Sequence, residues 1–281
     1  MDRFDRQSLI KTAPKGVPRW ALLQSGFRVP NVLTFTETLR AVADGERSLA
    51  RFGDGERVLM LDNEPIPFQP WTPKISDELK RVIANADGYP CDIGVNRAYL
   101  YTTGAEQEQV ERFYAEYELP RMQEDRYLDH MTLGQYLDAS FTIPYHHYRK
   151  DAFPAYFFRD YFRAFAEIFD GRDVILAAGN GVIDEWAGMQ NDILCKVKRI
   201  EIIRLPDTDA YEVIDAIEAR LYEINPNGDR LVVLSCGPAA TILAYRLSPR
   251  MRALDIGHAL REFDRVMRGV PPTDYVEFFA N

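Results

Sequence analysis

The chain has 281 residues, of which 46% are hydrophobic and 27% charged, and carries a formal net charge of −9. The length suits one large α/β domain and is enough to bury a core, while the acidic balance argues against nucleic-acid binding, which needs a basic face. Cys91, Cys195 and Cys236 lie far apart with no CxxC pair, which excludes a disulfide framework or a cysteine zinc site and suits a reduced cytoplasm.

In chain order, residues 1–30 run against the overall charge. Arg3, Arg6, Lys11, Lys15, Arg19 and Arg28 meet only Asp2 and Asp5, a net of +4. They read as a basic, solvated arm. The sharper alternative is contact with an anionic membrane surface or a partner, docked through Trp20, Leu22, Leu23 and Phe27. No apolar h-region marks a signal peptide. Residues 31–281 read as a single domain. Thr34 or Thr36 opens a helix over 34–44, and Ser48 to Phe52 is a short strand running into Gly53-Asp54-Gly55-Glu56. Pro65, Pro67, Pro70 and Pro73 make 63–73 a loop. Helices are expected over 74–86 and from Thr103, in a Thr-x-x-Glu capping box, to Glu118. The segment after Asp151 is also helical, with Phe153, Tyr156, Phe157, Phe162, Phe165 and Phe169 as core.

From 172 onward strands and helices alternate. The strands are Asp173–Ala178, Arg199–Ile203, Arg230–Ser235 and Ala253–Ile256; helices fall over 210–224 and 239–247. Nearly continuous apolar strands alternating with helices predict an α/β fold, a mostly parallel sheet covered by helices on both faces. Ligands of such sheets bind at the carboxyl ends of the strands, where the strand order switches. The most apolar stretch, Leu231 to Tyr245, is too short and interrupted to span a bilayer.

Several glycine-bearing turns follow strands. In Arg51-Phe52-Gly53-Asp54-Gly55-Glu56, two acids two residues apart would project to one side of an extended segment. The glycines would admit a close ligand. Hard oxygen donors of this kind suit Mg²⁺ or Mn²⁺ shared with substrate phosphates, and Arg51 suits a phosphate or one of the carboxylates. The plain alternative is an Asp-Gly turn with solvated acids. Gly237, Pro238 and Thr241 open a helix and form a natural anion site, or else a tight helix–strand contact. Gly179-Asn180-Gly181 is a weaker version of the same device. Asp255 ends a strand and His258 follows it, able to bind phosphate or metal, or simply to bond a nearby carbonyl. His146-His147 points in two directions and does not read as a metal pair. No dinucleotide fingerprint or P-loop is present.

Together these segments resemble the GT-D-type glycosyltransferases, a family first catalogued as a domain of unknown function. Ser48-Leu-Ala-Arg-Phe-Gly-Asp-Gly-Glu56 is similar to its S-[IL]-x-R-F-G-D-G-E opening. Ser235-Cys-Gly-Pro-Ala-Ala-Thr-Ile-Leu-Ala-Tyr245 is similar to its LGP-TA-x-LAY-L segment, and Leu254-Asp-Ile-Gly-His258 to its DIGH segment. The resemblance implies a Rossmann-like fold and a nucleoside-diphosphate-sugar donor, typically UDP-glucose. It also implies a divalent metal, Mn²⁺ or Mg²⁺, at Asp54 and Glu56, and a glycan or other hydroxyl acceptor. Arg51, Phe52, Gly53, Gly179, Asn180, Gly237, Pro238, Thr241, Asp255 and His258 fall around the donor, and Glu262 falls at the position of a general base. Surface polysaccharide or glycoconjugate synthesis is the implied setting, and the chain is compatible with a homo-oligomer. Departures gather away from the DxE: where the family reads GH-[IL]-D-[IV]-E-Y-E-W the chain has Gly257-His-Ala-Leu-Arg-Glu-Phe-Asp-Arg265, and Ala178-Gly-Asn-Gly-Val-Ile-Asp184 replaces its Arg-bearing segment. Two rival readings use the same residues: a metal-dependent hydrolase of nucleotide diphosphates, and a non-catalytic nucleotide-binding module.

Overall fold

The computed structural model describes residues 30–96, 124–144 and 156–270. The basic arm, the helix expected from Thr103, the His146-His147 pair and Phe153 lie outside them. Among the described residues eight strands form one sheet: β1 (Asn31–Val32), β2 (Ser48–Arg51), β3 (Cys91–Val95), β4 (Gln135–Asp138), β5 (Asp173–Gly179), β6 (Arg199–Leu205), β7 (Leu231–Ser235) and β8 (Ala253–Asp255). Their order is β1-β4-β3-β2-β8-β7-β5-β6, and every pairing is parallel. The expected parallel α/β sheet is therefore present.

The strands are apolar on both sides because both sides are covered. Side chains alternate between faces with a period of two. Ala50, Ile93, Ile175, Ala177, Val232 and Leu234 face one core. It is closed by helices α3 (Pro73–Ile83), α6 (Ile214–Ile224) and α7 (Pro238–Leu247). Leu49, Val174, Leu176 and Val233 face the other, under α1 (Phe35–Asp44), α4 (Phe157–Ala166), α5 (Asn180–Ala187) and α8 (Ala259–Met267). Between β2 and α3 the chain makes one short helix, α2 (Asp54–Arg57), which continues as a π-turn over Val58–Asp62.

Local chemistry explains the boundaries. The Thr34 hydroxyl accepts from Glu37 N–H at 3.3 Å and the Glu37 carboxylate accepts from Thr34 N–H at 2.8 Å, so both caps of α1 are closed. Helix α3 ends earlier than the pattern suggests, and Asn85 then takes a left-handed φ of 44°. Ala210–Val213 forms a 3₁₀ turn before α6, because Asp209 at φ 58° breaks the entry. In the aromatic stretch Phe162, Phe165 and Phe169 are buried as expected. Tyr156 departs from the expectation: it precedes α4 and is 65% exposed.

Candidate functional site

The strand order switches between β2 and β8. From β2 the chain proceeds outward to β3 and β4, whereas β8 returns from β7 on the opposite side, with Leu49 opposite Leu254. The turns after β2, β7 and β8 therefore meet at one carboxyl edge, where ligands of doubly wound sheets bind.

Arg51 ends β2 and Asp255 ends β8. The Arg51 Nε lies 3.8 Å from the Asp255 Oδ1, with Asp255 only 1% exposed. The guanidinium is threaded between two glycines. A Cβ on Gly53 would stand 3.1 Å from Nη1, and a Cβ on Gly257 would stand 2.8 Å from Cζ. Gly257 also has φ 50°, which any side chain would strain. Its N–H donates to Asp255 at 3.0 Å, and Ser235 Oγ donates to its carbonyl at 2.7 Å. Sequence spacing alone did not reveal that these glycines are there to house an arginine.

The two acids of the DxE do not extend side by side, contrary to the expectation. The chain turns into α2 at Gly53, so Asp54 and Glu56 occupy successive positions of a helical first turn. Glu56 folds back into the protein. Its Oε2 accepts from Gly53 N–H at 2.8 Å, and Thr241 Oγ1 lies 3.2 Å from its Oε1. The same hydroxyl lies 2.9 Å from the Arg51 carbonyl and 3.1 Å from Asp255 Oδ2. One hydroxyl proton cannot serve three acceptors, so a protonated carboxyl completes this cluster. Burial pushes the Glu56 pKa up to about 7, with Arg51 pulling it down and Asp255 pushing it further up. Asp255 is raised as well, first by burial.

Tested against a divalent cation, the donor set divides. Asp54 is half-buried at the N-terminus of α2 and supplies hard oxygen. Glu56, 4% exposed with both oxygens engaged, is not open to a metal as it stands. Among the described residues no group of three or more His, Cys, Asp or Glu is gathered for a metal. One or two carboxylates completed by phosphate oxygens and water is a sufficient Mg²⁺ set, so Asp54 fits and Glu56 acts as the anchor of its turn.

The Gly237 turn joins the same edge. Gly237 has φ 62° and Pro238 begins α7 at a position that needs no N–H. Gly55 of α2 packs toward it: a Cβ there would stand 3.0 Å from Ile66 Cδ1 and 3.7 Å from Pro238 Cγ. His258 is exposed at the N-terminus of α8. Phe52 is fully buried in the core, so its place in the motif is packing rather than ligand contact.

Two expected members are placed differently. Gly179 and Asn180 lie after β5, which is separated from β2 by β8 and β7. The N-terminus of α5 is already capped by an acid: Gly181 N–H donates to Asp207 Oδ1 at 2.7 Å. One donor of that turn is thus satisfied from within by Asp207, a residue 26 positions further along the chain. Glu262 lies on α8 at 1% exposure, its Oε1 3.4 Å from Arg261 Nε and 3.6 Å from Arg265 Nη1. Proton transfer from an acceptor hydroxyl to Glu262 requires that group of charges to open.

The protein is a Rossmann-like parallel α/β protein with an arginine–carboxylate cluster and glycine turns at its switch point. The family model described as the glycosyltransferase GT-D fold matches residues 49–276, and the chain belongs to that family. It is 25% identical over 258 residues to a Streptococcus gordonii protein named as a probable glycosyl transferase, Gly. It is 23% identical over 256 residues to the glycosyltransferase GlyD of Streptococcus pneumoniae. Those matches cover 91% and 88% of this chain but only 36% and 29% of the relatives, so the chain spans about a third of their length. A solved structure described as a new glycosyltransferase (DUF1792) from Streptococcus sanguinis superposes with a TM-score of 0.73, covering 87% of both chains at 23% identity. Another, described as a highly conserved domain with a distinct glycosyltransferase fold, gives 0.68 over 85% of this chain and 82% of that one. Among the described residues no helix is long and apolar enough to cross a membrane.

Proposed function

We propose that the protein is a glycosyltransferase that moves a hexose, glucose or a close relative, from a UDP-sugar to a hydroxyl of a glycan or similar acceptor. Surface polysaccharide or glycoconjugate synthesis in the cytoplasm is the setting this reading implies. The observation that carries it is the meeting of the Asp54, Gly237 and His258 turns at the switch point of a GT-D family sheet. Asp54 would hold Mn²⁺ or Mg²⁺, which when bound neutralises charge on the diphosphate leaving group. Glu56 and Thr241 keep the Asp54 turn in place through the bonds to Gly53 N–H and the Arg51 carbonyl. The Arg51 guanidinium pairs with buried Asp255 and adds positive potential beneath the diphosphate. His258, exposed on the same edge, donates to leaving-group oxygens. Glu262 takes the acceptor proton once acceptor binding draws Arg261 and Arg265 aside.

A thermal-shift panel of nucleotide sugars, with and without Mn²⁺, tests this. A ligand at about 100 times its Kd stabilises by about 2.7 kcal/mol, which for a domain of this size raises Tm by roughly 5 °C or more. The UDP-sugar shift should need Mn²⁺ and vanish in Asp54→Ala, along with sugar transfer. No shift by any nucleotide sugar in the presence of metal, or full transfer by the variant, rules the proposal out.

A further inference from the structure

Among the described residues the loop 63–72 holds one large aromatic in the open, Phe68, at 43% exposure. Its backbone is fixed even though its ring is exposed. Ile66 and Gln69 exchange two hydrogen bonds, at 3.0 and 3.1 Å, which pins Pro67 and Phe68 at the tip of a tight turn. The Phe68 carbonyl accepts from Asp209 N–H at 2.9 Å. Next to it, the buried Gln69 side chain accepts from Tyr211 N–H at 3.2 Å. The ring lies on Gly237, where a Cβ would stand 2.8 Å from its Cε2. Ile66 lies on Gly55, one residue past Asp54. The loop thus spans two turns of the carboxyl edge, α2 and α7, and two missing Cβ atoms let it sit close to both.

From this geometry we infer that Phe68 is the stacking platform for the nucleobase of the donor, resting on the nucleoside-diphosphate reading of the same edge. A nucleobase is joined to its diphosphate through one ribose, so a base-binding face must lie beside the phosphate turns. Among the described residues Phe68 is an exposed ring that packs directly on one of them. A ring whose backbone is held before the ligand arrives loses little freedom when the base stacks on it. Stacking reads the π-face of the base and does not require a particular edge, so this platform provides affinity for a base and leaves the choice of base to other groups.

Calorimetric titration of the full chain with UDP and with inorganic pyrophosphate, each in the presence of Mn²⁺, tests the inference. Phe68→Ala should weaken UDP roughly 5- to 100-fold, the range that base–aromatic stacking supplies. It should leave pyrophosphate within about twofold, because pyrophosphate has no base to stack. Phe68→Trp should restore UDP binding, and both variants should melt as the wild type does. Unchanged UDP affinity in Phe68→Ala overturns the inference. So does an equal loss for pyrophosphate, which would assign the ring to supporting the Gly237 turn. A wild-type protein that binds no nucleoside diphosphate removes the donor reading and this inference with it. Wild-type binding that survives Phe68→Ala removes this inference alone.

Discussion

At the scale of single residues, the site is organised around a buried charge cluster. Glu56 and Asp255 are carboxyls with almost no access to water, and against the rise that burial causes, the Arg51 charge, paired with Asp255, lowers the pKa of both. The elevated pKa of Glu56 has a consequence for stability. The folded chain keeps this proton up to about pH 7, whereas an unfolded chain releases it near the ordinary value of 4.5. The native state binds more protons than the unfolded state between those values, so stability should fall as pH rises from 4.5 to 7 and level off above. Each pKa unit is about 1.4 kcal/mol, so the contribution is on the order of 3 kcal/mol. Glu56→Gln keeps an acceptor for Gly53 N–H and removes the titration. Urea denaturation of metal-free protein at pH 5 and pH 8 should show a smaller drop for the variant. Equal drops would mean that Glu56 ionises in the folded protein as it does in water.

At the scale of elements, helix termini decide which turns can receive a ligand. At the N-terminus of α5 the Gly181 N–H is already taken by Asp207, which leaves the Gly179-Asn180-Gly181 turn one donor fewer for an outside anion. Asp207→Ala should cost about 1 kcal/mol, the usual worth of a capping acceptor, with Asp207→Asn recovering most of it. A variant as stable as the wild type in urea would show that water replaces the carboxylate without loss. Elements with clear periodicity could be read from the sequence: α1 with its Thr34 cap, β5, β7, α6 and α7 all lie where the apolar pattern places them. The strands β1, β3 and β4 could not. Asn31–Val32 is two residues long, Cys91–Val95 carries a glycine and an aspartate, and Gln135–Asp138 has no alternation. Such short segments become strands because a neighbour offers a ladder to pair with, and that neighbour is remote in sequence.

At the scale of the whole molecule, the sheet carries two separate hydrophobic cores, one on each face. Leu79 on α3 belongs to one and Phe165 on α4 to the other. Leu79→Val and Phe165→Leu should each cost about 1 kcal/mol. Because the two residues belong to separate core clusters on opposite faces of the sheet, the double variant should lose their sum within about 0.5 kcal/mol. A larger departure in chemical denaturation would show that the sheet transmits strain from one face to the other.

By itself the sequence determined the alternation of strands and helices, the parallel class of the sheet, and the three segments that resemble the GT-D family. Each of these is local: an apolar run, a capping residue or a short motif carries its own signal. Tertiary structure alone decided what the motif residues do. It turned Glu56 inward, bonded the Gly181 N–H of α5 to Asp207, put Glu262 beside two arginines, threaded Arg51 between Gly53 and Gly257, and laid Phe68 on Gly237. The physical reason is that burial and charge pairing depend on which strands are neighbours. The order of the strands, with β8 inserted beside β2, is set by packing across the whole chain.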